Sequence, residues 1–229
     1  MQKSFHASFL KIARAKQHLQ ELEKVVADFL ASDPAKFAPA PQVPGMISFG
    51  GMTLRGLPEI TSAILGDIIH NLRASLDLMA VALCQSNGHS GEKVYFPFCE
   101  KADDLPRTIK QRNFDSAGPK AVQLLTELRP YKGGNAVLRA IHDLDIQDKH
   151  RSLIPSMMNV ESPVFRMDVI DGKLTPVPVG DHTKPSAIKL SMPAGGVFAD
   201  QELIPCLRRL IDTTESIIST FEQRCAAPG

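Results

Sequence analysis

Residues 65–83, LGDIIHNLRASLDLMAVAL, are the stretch of sequence that decides the fold. Their apolar side chains recur every three or four positions, which places them on one face of an α-helix. That face consists of Leu65, Ile68, Ile69, Leu72, Leu76, Met79 and Leu83. We predict a helix that begins after Leu57, has Pro58 in its first turn and ends near Cys84. An apolar face of this length has to pack against other helices.

Three more segments show the same periodicity and are predicted as helices: residues 4–30, 135–151 and 201–225. Asn135 is suited to be an N-cap, because its side chain accepts a hydrogen bond from the first turn of a helix. Together with the helix at residues 57–84, these segments predict a mainly α fold (α+β) with a four-helix-bundle core. Two shorter helices are expected at residues 103–112 and 120–128, and a short strand at residues 94–98.

The remaining patterned segments have the period of two that is typical of β-strands. A β-hairpin is predicted at about residues 46–56, with strands at residues 47–49 and 52–54. The strands flank Gly50-Gly51, and glycine tolerates the positive φ of a primed turn. A small antiparallel β insertion is predicted at about residues 155–195, before the C-terminal helix, with Asp171-Gly172 as one turn. Because the insertion is too small for its own core, we expect residues 1–229 to form a single helical-bundle domain.

The composition is that of an ordinary globular protein: of 229 residues, 43% are hydrophobic and 22% are charged. The formal net charge is +1, so any basic surface for nucleic acid must be local. The four cysteines have neither zinc-site spacing nor a C-x-x-C motif. No apolar run approaches the roughly 18 residues of a membrane span. We therefore expect a cytoplasmic protein with no cofactor, no metal and no membrane contact.

Polar residues lie beside the apolar face of the helix at residues 57–84. His70, Arg73 and Asp77 follow one another at about one-turn intervals, and Asn71 is next to His70. An imidazole, a guanidinium and a carboxylate at the edge of a buried face either pair with each other or line a binding site.

The helix at residues 135–151 turns carboxylates toward the same interior. Asp145 and Asp148 project on its apolar side, where they need cationic partners. The helix then ends on three basic residues, Lys149, His150 and Arg151, which suit the negative end of the helix dipole. We expect the two helices to pack side by side, with His70 or Arg73 within hydrogen-bonding reach of Asp145 or Asp148.

Three interpretations of these residues stay open. They form a structural ion-pair network in a non-catalytic interaction protein, or their surplus donors bind a phosphate-like anion. The third is a two-metal site, because Asp67-x-x-His70 and His142-x-x-Asp145 place a carboxylate and an imidazole one turn apart on two helices. Its remaining ligands would be Glu21 or Asp28, and Asp212 or Glu215.

Five short motifs resemble those of a widespread set of uncharacterised bacterial proteins. They are His70-Asn-Leu-Arg73, Leu76-Asp77, Tyr95-Phe-Pro-Phe98, Arg129-Pro-Tyr131 and Asp148-Lys-His-Arg151. In those relatives the first motif often continues to Arg-x-x-x-x-His, which is similar to the signature of the HEPN superfamily of helical bundles. Many HEPN proteins are metal-independent RNA-cleaving toxins or defence effectors that dimerise. The resemblance therefore implies a homodimer in bacterial defence that binds RNA or a nucleotide-type anion and cleaves RNA.

The resemblance also implies roles for individual residues. Arg73 would bind the phosphate, and the position of the HEPN histidine is occupied by Leu78. His70 or His150 would then supply the imidazole, with Asp77 or Asp148 to orient it. The implied catalytic set is His70, Arg73, Asp77, Asp148 and His150, and the implied ligand-binding residues are Asn71, Lys149 and Arg151.

Overall fold

The helices of the protein lie where the apolar periodicity predicts them. The computed structural model describes residues 5–37, 52–150, 157–161, 164–179, 187–193 and 196–225. Its six α-helices are α1 (His6–Ala31), α2 (Ile60–Ser86), α3 (Leu105–Gln111), α4 (Pro119–Leu128), α5 (Ala136–His150) and α6 (Leu203–Cys225). The mainly α prediction is therefore confirmed.

The core is built around α2, which contacts α1, α5 and α6. The α2 side chains Ile68, Ile69, Leu72, Leu76 and Met79 have no solvent exposure, as expected of the central apolar face. The short helices α3 and α4 are amphipathic and add Leu105, Ile109, Leu124 and Leu125 to the same core. Within the part of the chain that the structure describes, none of the helices has the length and hydropathy needed to cross a membrane.

Local signals in the sequence explain where α4 and α5 begin. Pro119 occupies the first turn of α4, where its missing N–H costs nothing. Asn135 accepts a 3.1 Å hydrogen bond at Oδ1 from the backbone N–H of Leu138, so it caps α5 as predicted.

The β-structure after α1 contains a strand pair that was not predicted. Strand β2 (Met52–Leu54) forms, but it pairs antiparallel with β1 (Ala35–Phe37). The predicted strand at residues 47–49 and the Gly50-Gly51 turn lie outside the described residues. The proline-rich stretch after α1 thus contributes strand β1, which was not predicted because a high proline content favours a loop.

The insertion before α6 consists of two antiparallel pairs. Strand β4 (Val164–Ile170) pairs with β5 (Lys173–Val179), and β3 (Met157–Glu161) pairs with β6 (Ala187–Ser191). The predicted Asp171-Gly172 turn is confirmed: both residues have positive φ, +52° and +72°. Strand β6 contacts α6, and Leu190 and Met192 are buried in the bundle core, so this pair packs on the helices.

The predicted strand at residues 94–98 is wrong. In the described structure these residues form no strand. Their backbone groups make hydrogen bonds to other parts of the chain instead. The N–H of Tyr95 donates to the carbonyl of Arg112 (3.2 Å), and the N–H of Phe96 donates to the side chain of Asp77. The side chain of Asp77 on α2 therefore fixes residues 94–98 in an irregular conformation, although their composition favours a β-strand.

Candidate functional site

Helix α5 packs closely against α2 at Gly66. A Cβ atom built on Gly66 would lie 2.5 Å from Oδ1 of Asp148, and all three carboxylate atoms would be within 3 Å of it. The carboxylate of Asp148 therefore rests directly on the α2 backbone, which only glycine permits. This contact sets the two helices side by side, as the inward-facing carboxylates predicted.

The close approach predicts that Gly66 cannot be enlarged. We expect Gly66→Leu to lower the free energy of unfolding by about 1.5 kcal/mol, since overpacking costs about 1–3 kcal/mol and the gain in helix propensity offsets less than about 1 kcal/mol. Gly56→Leu is the matched control, because nothing lies within 4 Å of a Cβ at that exposed glycine. Urea unfolding of both variants measures the difference, and equal losses would contradict the close approach.

His70 and Asp145 form the polar contact between the two helices. Nδ1 of His70 lies 3.4 Å from Oδ1 of Asp145, so an imidazole protonated at Nδ1 donates to the carboxylate. The His70 side chain is 49% exposed, whereas that of Asp145 is 7% exposed. The expected reach between these helices is therefore confirmed for His70 and Asp145. The imidazole of His70 is thus half-exposed to solvent, and its Nδ1 contacts the buried carboxylate of Asp145.

Arg73 and Asp77 face a different partner, the segment that precedes α3. Nη1 of Arg73 donates to Oδ1 of Asp77 at 2.5 Å, and the same oxygen accepts the backbone N–H of Phe96 at 2.8 Å. Nη2 of Arg73 lies 3.5 Å from the carbonyl oxygen of Phe96. Only 12% of the Arg73 side chain is exposed. The pair therefore clasps the Phe96 backbone to α2.

An aromatic layer links this clasp to α5. The guanidinium carbon of Arg73 lies 4.7 Å from the centre of the Phe98 ring. The Phe98 ring is parallel to that of His142, with 4.6 Å between centroids and 5° between planes. Burial, followed by the nearby positive charges of Arg73 and Arg139, lowers the pKa of His142 from 6.5 to about 4. His142 is thus a neutral ring in the packing around Phe98.

The lowered pKa of His142 makes stability depend on pH. The unfolded chain binds a proton at this histidine below about pH 6.5, whereas the folded chain does so only near pH 4. The stability is therefore present above pH 6.5 and is lost as the pH falls toward 4. We expect a loss of about 2 kcal/mol at this site between pH 7 and 4.5, after allowance for partial solvent screening.

The experiment compares urea unfolding of the wild type and His142→Phe at several pH values. Phenylalanine keeps the stack on Phe98 and removes the titration, so the variant should lose about 2 kcal/mol less on acidification. His89→Asn, at an exposed histidine after α2, is the control and should behave as the wild type. Identical pH profiles for the wild type and His142→Phe would contradict the assignment.

Arg139 is a buried cation that the sequence interpretation missed. Its Nη1 donates to the carbonyl of Cys99 at 3.1 Å, its Nε donates to Oδ2 of Asp143 at 3.0 Å, and its Nη2 contacts Glu100. Burial disfavours the charged guanidinium, but the hydrogen bonds that Arg139 donates to Asp143 and Glu100 outweigh this effect, and the pKa of Arg139 is raised. The sequence did contain one signal for this contact: Arg139 and Asp143 are four residues apart, a spacing that allows an ion pair on a helix.

The other predicted site residues fall in several places. The Asn71 side chain is buried, and its amide donates to the carbonyl of Asp67 one turn back at 2.7 Å. Leu78, at the position of the HEPN histidine, is partly buried on α2. Lys149 and His150 end α5, but their side chains lie outside the described residues, as does all of Arg151.

The carboxylate and imidazole groups of the two-metal interpretation do not converge. His142 stacks on Phe98, whereas His70 contacts Asp145. Among the residues that the structure describes, no three His, Cys, Asp or Glu side chains are grouped so that they could hold a metal ion.

Comparison with known proteins does not assign the chain to a family. The chain matches none of the protein-family models, curated proteins or solved structures with which it was compared. The likeness to the HEPN superfamily is limited to five short motifs, and the polar residues between α2 and α5 are the structural basis for a function.

Proposed function

We propose that the protein binds RNA, or a nucleotide-type phosphate, at the surface where His70 meets the end of α5, and that it cleaves RNA there without a metal ion. The observation that supports this proposal is the half-exposed imidazole of His70, held through Nδ1 by the buried carboxylate of Asp145. This arrangement leaves Nε2 free to accept a proton from a substrate.

In the proposed reaction, His70 takes the proton from a ribose 2′-hydroxyl. The 2′-oxygen then attacks the adjacent phosphorus, the bond to the 5′-oxygen of the next nucleotide breaks, and a 2′,3′-cyclic phosphate remains. The leaving 5′-oxygen takes a proton from solvent water and departs as an alcohol, and the His70 imidazolium returns its proton to solvent. Asp145 fixes the tautomer and the ring orientation, and it stabilises the imidazolium that forms. We give this orienting role to Asp145 rather than to Asp77 or Asp148, because Asp145 is the carboxylate that contacts His70.

The phosphate contact is assigned to the basic run at the end of α5. Arg73 is nearly buried between Asp77 and Phe98 and is already engaged by both, so a phosphate would have to displace the clasp to reach it. The carboxylate of Asp145 contacts His70, and it repels a phosphate unless positive charge offsets it. Lys149, His150 and Arg151 directly follow Asp148 in the sequence and supply that charge.

The basic run can be tested by RNA binding. We expect the double variant Lys149→Ala/Arg151→Ala to bind a fluorescent single-stranded RNA about tenfold more weakly than the wild type, with a salt dependence reduced by about two charges. Fluorescence anisotropy at several salt concentrations measures both quantities. Arg14→Ala/Lys24→Ala, which removes the same charge from exposed positions on α1, is the matched control.

Two results would contradict the assignment of the phosphate contact. Equal weakening by both double variants would mean that overall charge, rather than this surface, attracts the RNA. No binding by the wild type at low salt would favour the second candidate function, a non-catalytic interaction protein. That alternative is supported by the Arg73–Asp77 clasp, which gives two of the five predicted catalytic residues a structural role.

A further inference from the structure

A cavity lies on the side of α5 that faces away from α2. It has a volume of about 390 Å³, within the usual range of small-molecule pockets. Its walls come from α5, from Glu100 and from the described residues that precede α6, among them Met192 and Phe198. Arg139 and Asp143 lie on this side of α5, whereas Asp145 and Asp148 face α2. The cavity is therefore separate from the surface around His70.

One wall of the cavity is acidic. Its charged lining residues in the described structure are Glu100, Asp143 and Arg139, which sum to one negative charge. Arg139 engages both carboxylates through its Nη2 and is itself nearly buried. The hydrogen bond from Arg139 lowers the pKa of Glu100, so this carboxylate is ionised at neutral pH. Because the Glu100 and Asp143 side chains are 62% and 47% exposed, their remaining lone pairs can accept further hydrogen bonds.

The lining of the cavity is also partly apolar. Leu144, Met192 and Phe198 line it and are each less than 9% exposed. Arg209, whose guanidinium carbon lies 5.3 Å from the centre of the Phe198 ring, is not among the lining residues. The cavity thus joins an acidic side with hydrogen-bond acceptors to an apolar side of buried side chains.

We propose that this cavity binds a small organic cation, an ammonium group on a compact apolar body. The ammonium group donates to Asp143 and Glu100, and the apolar body packs on Leu144, Met192 and Phe198. A carboxylate ligand of the same shape is repelled by the acidic wall, and a neutral alcohol gains no charge-assisted hydrogen bond.

The test uses three probes that share one apolar body: 3-phenylpropylamine, 3-phenylpropanol and 3-phenylpropionate. Each is titrated into the wild-type protein of residues 1–229, labelled with ¹³C at the methionine methyl groups. The amine is expected to shift the Met192 methyl signal, assigned by Met192→Leu, in a saturable way. The signal of Met79, which is buried within α2, should stay in place. The alcohol should bind about tenfold more weakly than the amine, and the propionate weaker still.

Variants then locate the charge recognition. Asp143→Asn and Glu100→Gln are each expected to weaken binding of the amine about tenfold, and Glu222→Gln, an exposed acid on α6, should leave it unchanged. Glu100→Gln also serves if Asp143→Asn does not fold, since Glu100 is the more exposed partner of Arg139. The proposal is overturned if the amine fails to saturate, if it leaves Met192 unshifted, or if the propionate binds as tightly.

Discussion

Arg73→Ala is expected to lower the free energy of unfolding by about 3 kcal/mol, because it removes one partner of a largely buried ion pair. The Arg73 side chain is 12% exposed and Asp77 is 27% exposed, so little water is available to replace the lost guanidinium. The variant also loses the contact between the guanidinium and the Phe98 ring. The hydrogen bond from Phe96 to Asp77 remains, but its acceptor then carries an uncompensated charge.

Urea unfolding measures this loss, and Arg107→Ala is the matched control. Arg107 pairs with Asp104 at 3.0 Å, but the two side chains are 69% and 36% exposed. Removing such a surface pair should cost less than about 1 kcal/mol. A loss at Arg73 as small as that at Arg107 would mean that Arg73 is not a structural clasp. Its guanidinium would then be available to bind the phosphate, as the HEPN resemblance implies.

The helices were predictable because their signal is local. In α2 the apolar residues repeat over the whole length of the helix, so a single period fixes both the helix and its buried face. The cap of α5 was predictable for the same reason, since Asn135 bonds to a residue only three positions away. Features of this kind need no knowledge of the tertiary structure.

The partners of the polar residues were less predictable, because helical spacing gives the face of a side chain and not what it meets. His70 and Arg73 are three residues apart and were treated as one group. In the structure His70 reaches Asp145 on α5, whereas Arg73 reaches Asp77 and Phe96. The difference comes from the segment before α3, which passes over Arg73 and separates it from α5.

Long-range pairing explains two features that the sequence did not predict. Strand β2 was predicted from its own sequence, but its partner β1 lies within the proline-rich stretch after α1, where composition favours a loop. Arg139 was missed because its partners Cys99 and Glu100 are about forty residues away. Neither contact leaves a pattern within a short window of sequence.

The motif on α2 therefore divides into two parts with different consequences. Arg73 and Asp77 hold the aromatic layer of Phe98 and His142 against the bundle. Substitution of either residue should therefore lower the free energy of unfolding. His70, about one turn before Arg73 on α2, is half-exposed, and its side chain has one described polar contact, with Asp145. Substitution of His70 should consequently impair the proposed RNA cleavage and have little effect on the stability of the fold.

His70→Asn is expected to lower the rate of RNA cleavage about a hundredfold in buffer containing EDTA, because asparagine cannot accept the 2′-hydroxyl proton. Asparagine retains a polar side chain beside Asp145, and the exposed position tolerates the change, so the melting temperature should move little. The assay follows a labelled RNA oligonucleotide and identifies the 2′,3′-cyclic phosphate end of the product. A DNA oligonucleotide of the same sequence should remain intact, because it lacks the attacking hydroxyl.

His89→Asn is the matched control for this substitution, since it makes the same change at an exposed histidine in the loop after α2 and should cleave at the wild-type rate. Asp145→Asn should also slow cleavage, because the imidazolium that forms loses the carboxylate that stabilises it. Cleavage by His70→Asn at the wild-type rate would remove His70 from the reaction. Binding of RNA by the wild type without any cleavage would limit the function of this surface to recognition, and the exposed imidazole would then serve as a contact to the bound strand.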